Sequence, residues 1–160
     1  MATRADKIKY CKALQERLIR ESRSDLLRFT LSTMSTFRPA DFHRRYYKVL
    51  TKFADGKIRK LMVFMPPQHG KSEGSTRRLP AFLLGRDPDK KLAIVSYNAP
   101  KARKFNREIQ RIIDTPEYHA IFPETNLNAS NVTTVAGSWL RNADECEIVE
   151  CRGGFKTVGV

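Results

Sequence analysis

The residues best equipped for chemistry lie together at Met65-Pro66-Pro67-Gln68-His69-Gly70-Lys71-Ser72. Gly-Lys-Ser matches the second half of the phosphate-binding pattern G-x-x-x-x-G-K-[ST], with Met65 standing where that pattern has its first glycine. Each residue type has a task there. Gly70 lets the backbone approach a phosphate closely. Backbone N–H groups at the loop and at the start of the following helix point at the anion. Lys71, the candidate catalytic residue, bridges the β- and γ-phosphates, and the Ser72 hydroxyl is the candidate Mg²⁺ ligand. Gln68, His69 and Glu73 flank these groups and complete the candidate nucleotide-binding set.

Such a loop works only between a strand and a helix. Leu61-Met62-Val63-Phe64-Met65 is a continuous apolar run of strand length, and it suits a strand buried on both faces of a parallel sheet. A helix is predicted from about Lys71 to Leu84, ending at Gly85, with Pro80 inside it as a kink or division. Leu92 to Tyr97 reads as a second buried strand. Pro100 suits the first turn of the next helix, whose apolar stripe is Ala102, Phe105, Ile109, Ile112 and Ile113. Strand, helix, strand, helix predicts a parallel α/β sheet.

Upstream, three helices are predicted. The first covers 6–21, amphipathic through Ile8, Cys11, Leu14 and Leu18; the second runs from Asp25 to about Met34, with Ser24 as N-cap. The third covers Asp41 to Phe53, capped by Asp41 and closed near Gly56. Downstream, Val132 to Val135, Ser138 to Leu140, Glu147 to Cys151 and Phe155 to Val160 read as short extended segments, separated by Gly137, Asn142 and Gly153-Gly154. They predict an antiparallel excursion or edge strands. The domain reading is a helical segment over 1–57 and the first part of a phosphate-loop domain over 58–160.

Charge adds a second signal. Across 160 residues the net charge is +13, too basic to be incidental, and it points to a polyanion. Residues 1–60 carry 16 Lys and Arg against 6 Asp and Glu, so the excess lies toward the N-terminus. It reads either as a solvated helical surface or as contact with a nucleic-acid backbone; no groove-reading motif accompanies it. No apolar run approaches 18 residues and the first 20 lack a leader's apolar core, which argues against a membrane span and against secretion. Cys11, Cys146 and Cys151 are odd in number and spread out, which fits a reducing compartment. Cys146-x4-Cys151 lacks a second ligand pair for zinc, and Trp139 beside Arg141 reads as packing or as a ligand-facing ring.

The run Pro66-Pro67-Gln68-His69-Gly70-Lys71-Ser72-Glu73 closely resembles the P-P-R-H-G-K-S-E loop of large terminase subunits. The likeness extends upstream to Phe37-Arg38-Pro39, His43 and Gly56. Downstream it takes in Leu79 to Pro88, Ser96-Tyr97, the helix with Phe105 and Arg107, and Ile121-Phe122-Pro123, in the same order over about residues 24–160. The resemblance implies an ASCE-type P-loop NTPase sheet with flanking helices. It also implies ATP and Mg²⁺ as cofactors, and a part in the ATPase that drives double-stranded viral DNA into a procapsid. By the same resemblance the partners are double-stranded DNA, a portal protein and a small terminase subunit, at the procapsid portal in the host cytoplasm. Phe37, Pro39 and His43 fall where an adenine-side pocket is expected; His43 reads equally as a polar residue on a surface helix.

The sequence departs from the family pattern twice. The family commonly has Arg at the position of Gln68, which carries no charge to stabilise a transferring phosphoryl group. Arg77 and Arg78 follow nearby and read as a solvated helix face. No apolar run ending in Asp with an adjacent acid supplies a Walker B strand; Cys146-Glu147-Ile148-Val149-Glu150 is the nearest and a poor match. The expectation is the front half of a motor ATPase, whether a fragment, an interrupted gene or one piece of a split protein. It would bind nucleotide without efficient turnover. An incomplete sheet leaves apolar surface exposed, which predicts self-association or a second chain completing the fold. Two alternatives remain: a basic nucleic-acid-binding module without nucleotide chemistry, and a fragment of another P-loop translocase or helicase.

Overall fold

Six α-helices and three strands make up the described part of the chain. The computed structural model describes residues 3–132 and 138–160. Helix α1 (Arg4–Ser24) starts on a capping box, in which the Thr3 hydroxyl accepts from the Asp6 N–H and the Asp6 carboxylate accepts from the Thr3 N–H. Helix α2 (Leu26–Thr33) is capped by Asp25, whose carboxylate accepts from the Arg28 N–H. Ser24, the expected cap, instead ends α1 and donates to the Glu21 carbonyl. Helix α3 (Asp41–Ala54) begins one residue after Ala40, so Asp41 is its first residue and not its cap. Gly56, at φ +73°, lies just beyond its end, in the left-handed region that glycine adopts at no steric cost.

The predicted amphipathic face of α1 is a correction. Ile8, Leu14 and Leu18 are 50%, 44% and 42% exposed, and Cys11 is exposed too. Their spacing is helical, but nothing among the described residues buries them. The helix docks through its C-terminal end, where Ser22 is buried and Arg23 donates to the Ile121 carbonyl at 2.7 Å.

The core is one cluster. It joins Leu26, Phe29, Tyr47 and Leu50 from α2 and α3 to Phe82, Leu84, Ile109, Ile113, Tyr118 and Phe122 from later in the chain. Phe29 is its hub, with ring centroids 5.5 Å from Phe82 and 5.9 Å from both Tyr118 and Phe122. Tilted and edge-on aromatic pairs of this kind each add about 0.5–1.5 kcal/mol to the burial itself. The Tyr118 hydroxyl is satisfied by the Ala81 carbonyl at 2.9 Å.

The chain is mixed α/β, and its sheet is small and mixed. Strands β1 (Lys91–Ser96), β2 (Glu145–Glu147) and β3 (Gly154–Gly159) take the order β1-β3-β2, with β1 parallel to β3 and β2 antiparallel to it. Helix α5 (Ala99–Ile113) packs on one face. Asn98 caps it, Pro100 sits in its first turn, and all five residues of the expected stripe are buried. Helix α6 (Pro116–Ile121) follows, capped by Thr115.

Four strand expectations change. Residues 61–65 form no strand: Leu61, Val63 and Met65 are half-buried while Met62 and Phe64 are 80% and 85% exposed, and no neighbouring strand pairs with them. The side chains alternate as in a strand, but a strand also needs a ladder, and that partner is not among the described residues. Strand β1 is buried on one face only, because α5 covers that side and Ala93, Val95 and Tyr97 face outward. The expected strand at 147–151 ends at Glu147 and turns, with Glu150 at φ +61°. The antiparallel edge expected near the C-terminus is present as β2. Ser138 to Leu140 is not a strand; Val132 and Arg141 form an isolated antiparallel bridge, and residues 133–137 of the remaining expected segment lie outside the described residues.

Candidate functional site

The loop over 65–72 turns through two left-handed residues, Gln68 at φ +62° and Gly70 at φ +74°. Only Gly70 escapes the steric cost, which for Gln68 is about 1–2 kcal/mol. A Cβ on Gly70 would also stand 3.1 Å from His43 Nε2. The position therefore calls for glycine on two counts, conformation and space.

Beyond the loop the chain turns helical at Lys71 and then widens. Glu73–Arg78 is a π-helical turn, and α4 (Leu79–Arg86) continues it. The Leu79 N–H reaches the Gly74 carbonyl, five residues back. Pro80 has no N–H for the preceding turn and its ring crowds that turn's carbonyl, so the widening immediately before it is the helix's accommodation. The kink or division expected at Pro80 takes this form.

The π turn has a chemical consequence. In an α-helix, residues five apart point about 140° away from each other. A turn closed by i→i+5 bonds instead brings the fourth and fifth residues to either side of the first. Glu73 thus holds both arginines: Oε2 accepts from Arg77 Nη1 and Oε1 from Arg78 Nε, each at 2.7 Å. Arg77 Nε reaches Glu108 Oε2 at 2.6 Å, and Arg78 Nη1 donates to the Thr33 hydroxyl at 2.7 Å. Arg78 is only 8% exposed. The reading of these two arginines as a solvated face is corrected. Burial raises the Glu73 carboxyl, but hydrogen bonds and charge from Arg77 and Arg78 outweigh it and hold the group below its usual range.

The loop walls a cavity of about 410 Å³, lined by residues 65–68 and 70–73 and by Arg77. Gln68, Gly70, Lys71, Ser72 and Glu73 of the expected set share it; His69 does not. The N–H groups of Gly70, Lys71 and Ser72 find no backbone acceptor among the described residues, as expected at a helix start. Lys71 is exposed and Ser72 half-buried. This donor set fits a polyphosphate with Mg²⁺, an ion that takes most of its oxygens from phosphate and water and few from protein. Among the described residues no cluster of three or more His, Cys, Asp or Glu forms a separate metal site.

Helix α3 supports the loop from the other side. The Tyr46 hydroxyl donates to the Lys71 carbonyl at 2.9 Å, and Gly74 lies directly against the Tyr46 ring. His43 Nδ1 accepts from the Ala40 N–H at 3.1 Å, which leaves Nε2 as the protonated nitrogen of the neutral ring, facing Gly70. The His43 ring lies 5.3 Å from Phe37 and 3.9 Å from Phe42; His69 lies 5.6 Å from Phe42. Phe37, His43, Phe42 and His69 thus pack in that order as one aromatic group beside the loop. Pro39, close to that group in sequence, is half-buried.

Sequence reasoning missed Phe42 and Tyr46, and it noted Arg77 near the loop but read it as part of a solvated helix face. Phe42 carried a usable signal, a second ring beside His43 in the first turn of α3. Tyr46 carried none, since its role depends on α3 crossing the loop.

A family described as terminase large subunit, T4likevirus-type, N-terminal, matches residues 62–145, which is more than half of the chain and includes the loop, π turn, α4, β1 and α5. No curated protein and no solved structure matches.

Proposed function

The chain belongs to the T4-like terminase large subunit family, matched over that family's N-terminal region, and on this premise we propose that it is the nucleotide-binding part of a motor that packages double-stranded DNA. The reading takes the loop as a P-loop of the ASCE type and ATP with Mg²⁺ as its ligand. One observation carries it. Gly70, Lys71 and Ser72 line a single cavity at a helix start, and among the described residues their N–H groups find no backbone acceptor.

The residue roles follow from charge and reach. The N–H groups cradle phosphate oxygens, Lys71 neutralises the outer phosphates and Ser72 Oγ supplies a ligand to the ion. The bound Mg²⁺ would supply charge neutralisation between the two outer phosphates. The reading assigns the Phe37, Phe42 and His43 rings, which pack on one another, to the adenine side. Among the described residues the acid that lines the cavity is Glu73, and its carboxylate is committed to Arg77 and Arg78. Strand β2, which overlaps the nearest Walker B candidate, runs antiparallel to β3 and sits at the sheet edge. The chain therefore binds nucleotide and turns it over slowly or not at all. The portal, the small subunit and DNA are the partners this reading assigns. Among the described residues no helix is long and apolar enough to cross a membrane.

The test is Mg²⁺-dependent binding of a fluorescent ATP analogue to the 160-residue chain, wild type against Lys71→Ala. Binding lost in the variant is expected. The competing reading, a basic nucleic-acid module, draws on the exposed basic surface of α1. Its signature is salt-sensitive DNA binding that ignores ATP and survives Lys71→Ala.

A further inference from the structure

The geometry points to Arg77 as the second cation of the phosphate pocket, a side chain that contacts the bound polyphosphate beside Lys71; this inference rests on the nucleotide reading above. The pocket has a charge problem. A triphosphate brings several negative charges, and within the loop only Lys71 is cationic, because the position of Gln68 is neutral. Arg77 is the one other cation that lines the same cavity.

Its side chain is already oriented. Nε is tied to Glu108 at 2.6 Å and Nη1 to Glu73 at 2.7 Å, while Nη2 has no hydrogen-bond partner among the described residues. The guanidinium is a planar fork, so fixing two of its nitrogens fixes the direction of the third. A donor held this way binds an anion without losing further side-chain freedom. Arg78, on the same turn, provides the contrast. It is nearly buried, absent from the cavity wall, and committed to Glu73 and Thr33. Arg78 therefore secures the turn, and Arg77 is left to face the ligand. The π turn is what divides the pair in this way, since an α-helical turn could not bring both within reach of Glu73.

Glu73 and Glu108 offset part of the Arg77 charge, and this makes the inference separable from a bracing role. Fluorescent ATP analogue binding is measured with Mg²⁺ for wild type, Lys71→Ala, Arg77→Ala and Glu108→Gln, with inorganic tripolyphosphate and adenosine as competitors. Arg77→Ala is expected to weaken the analogue and tripolyphosphate about tenfold, in line with loss of one charge-assisted hydrogen bond, and to leave adenosine competition unchanged. Glu108→Gln keeps the guanidinium and removes one offsetting charge, so binding at least as tight as wild type is expected. Wild-type affinity in Arg77→Ala overturns the role and leaves the nucleotide reading intact. No binding by folded wild type overturns both. Should Arg77→Ala fail to fold, Arg77→Gln, which removes the charge and keeps a donor toward Glu73, decides: wild-type affinity there overturns the role.

Discussion

Tyr46 on α3 donates its hydroxyl to the carbonyl oxygen of Lys71, 25 residues later in the chain, at 2.9 Å. The same carbonyl accepts from the Ser75 hydroxyl at 2.9 Å. The first turn after the loop is therefore set by a helix that sequence order places well upstream. Tyr46→Phe keeps the ring and removes the bond, at a cost of about 1 kcal/mol. It is expected to raise the Kd for the ATP analogue by a few-fold as the loop loosens. Equal affinity would show that the loop holds its shape without α3.

Gly74 tests the same contact from below. A Cβ there would lie 2.7 Å from Tyr46 Cε1 and 3.3 Å from Leu50 Cδ1, both in the packed interior. Gly74→Ala ordinarily favours a helix, so the sign is informative. Overpacking of about 1–3 kcal/mol is expected to win, read as a lower urea midpoint at unchanged slope. A stabilised variant would mean that the Tyr46 ring swings aside freely.

Glu73 predicts an acid limb in the stability profile. Despite burial, its two arginines hold its carboxyl below the ordinary 4.5. Its contribution is therefore present above that value and is lost as pH falls through the depressed folded-state value, because the unfolded chain takes up the proton first. Glu73→Gln should cost about 1–3 kcal/mol at pH 7 and flatten the decline below pH 4.5. The measurement is urea denaturation of both proteins across that range. Parallel wild-type and variant profiles would contradict the assignment.

How much of this was legible beforehand depends on whether a feature is local. Helix α5 was readable from Pro100 in its first turn and the stripe from Ala102 to Ile113, which are set within one helix, while its Asn98 cap went unread. The Gly70-Lys71-Ser72 turn was readable for the same reason. The spacing of Ile8, Leu14 and Leu18 reports a helical face truly, but it cannot report whether anything packs there. The run 61–65 shows strand alternation, while pairing is a property of two segments. Arg77 and Arg78 were misread because a 3.6-residue period sends them to different sides of the helix. The π turn before Pro80 returns both to Glu73.

Tyr47 is the one buried side chain whose polar atom finds no partner among the described residues. The nearby Thr30 hydroxyl donates to Leu26 instead, at 2.8 Å. Burial pushes the Tyr47 phenol up to about 12. Tyr47→Phe removes an unpaired hydroxyl and retains the ring, so stability should hold or rise by about 1 kcal/mol. It should also blunt the loss of stability between pH 10 and about 12, where the unfolded phenol ionises before the buried one. A destabilised variant would reveal a hydrogen bond that forms in solution.

The outer sheet face carries the last expectation. Val95 on β1 is in register with Val158 on β3, and they are 65% and 42% exposed. Tyr97 and Val160 extend the strip at 70% and 90%, with Met62 and Phe64 further exposed apolar groups of the described chain. Apolar area gains about 25 cal/mol for each Å² removed from water, so two copies have reason to cover this face. Sedimentation velocity across a concentration series should show reversible association. Val95→Lys combined with Val158→Lys should shift it toward monomer while leaving the helical circular dichroism and the Phe29-centred core intact. Wild type that stays monomeric at every concentration would mean that the +13 charge outweighs the exposed strip, and raising the salt to screen that charge then separates the two effects.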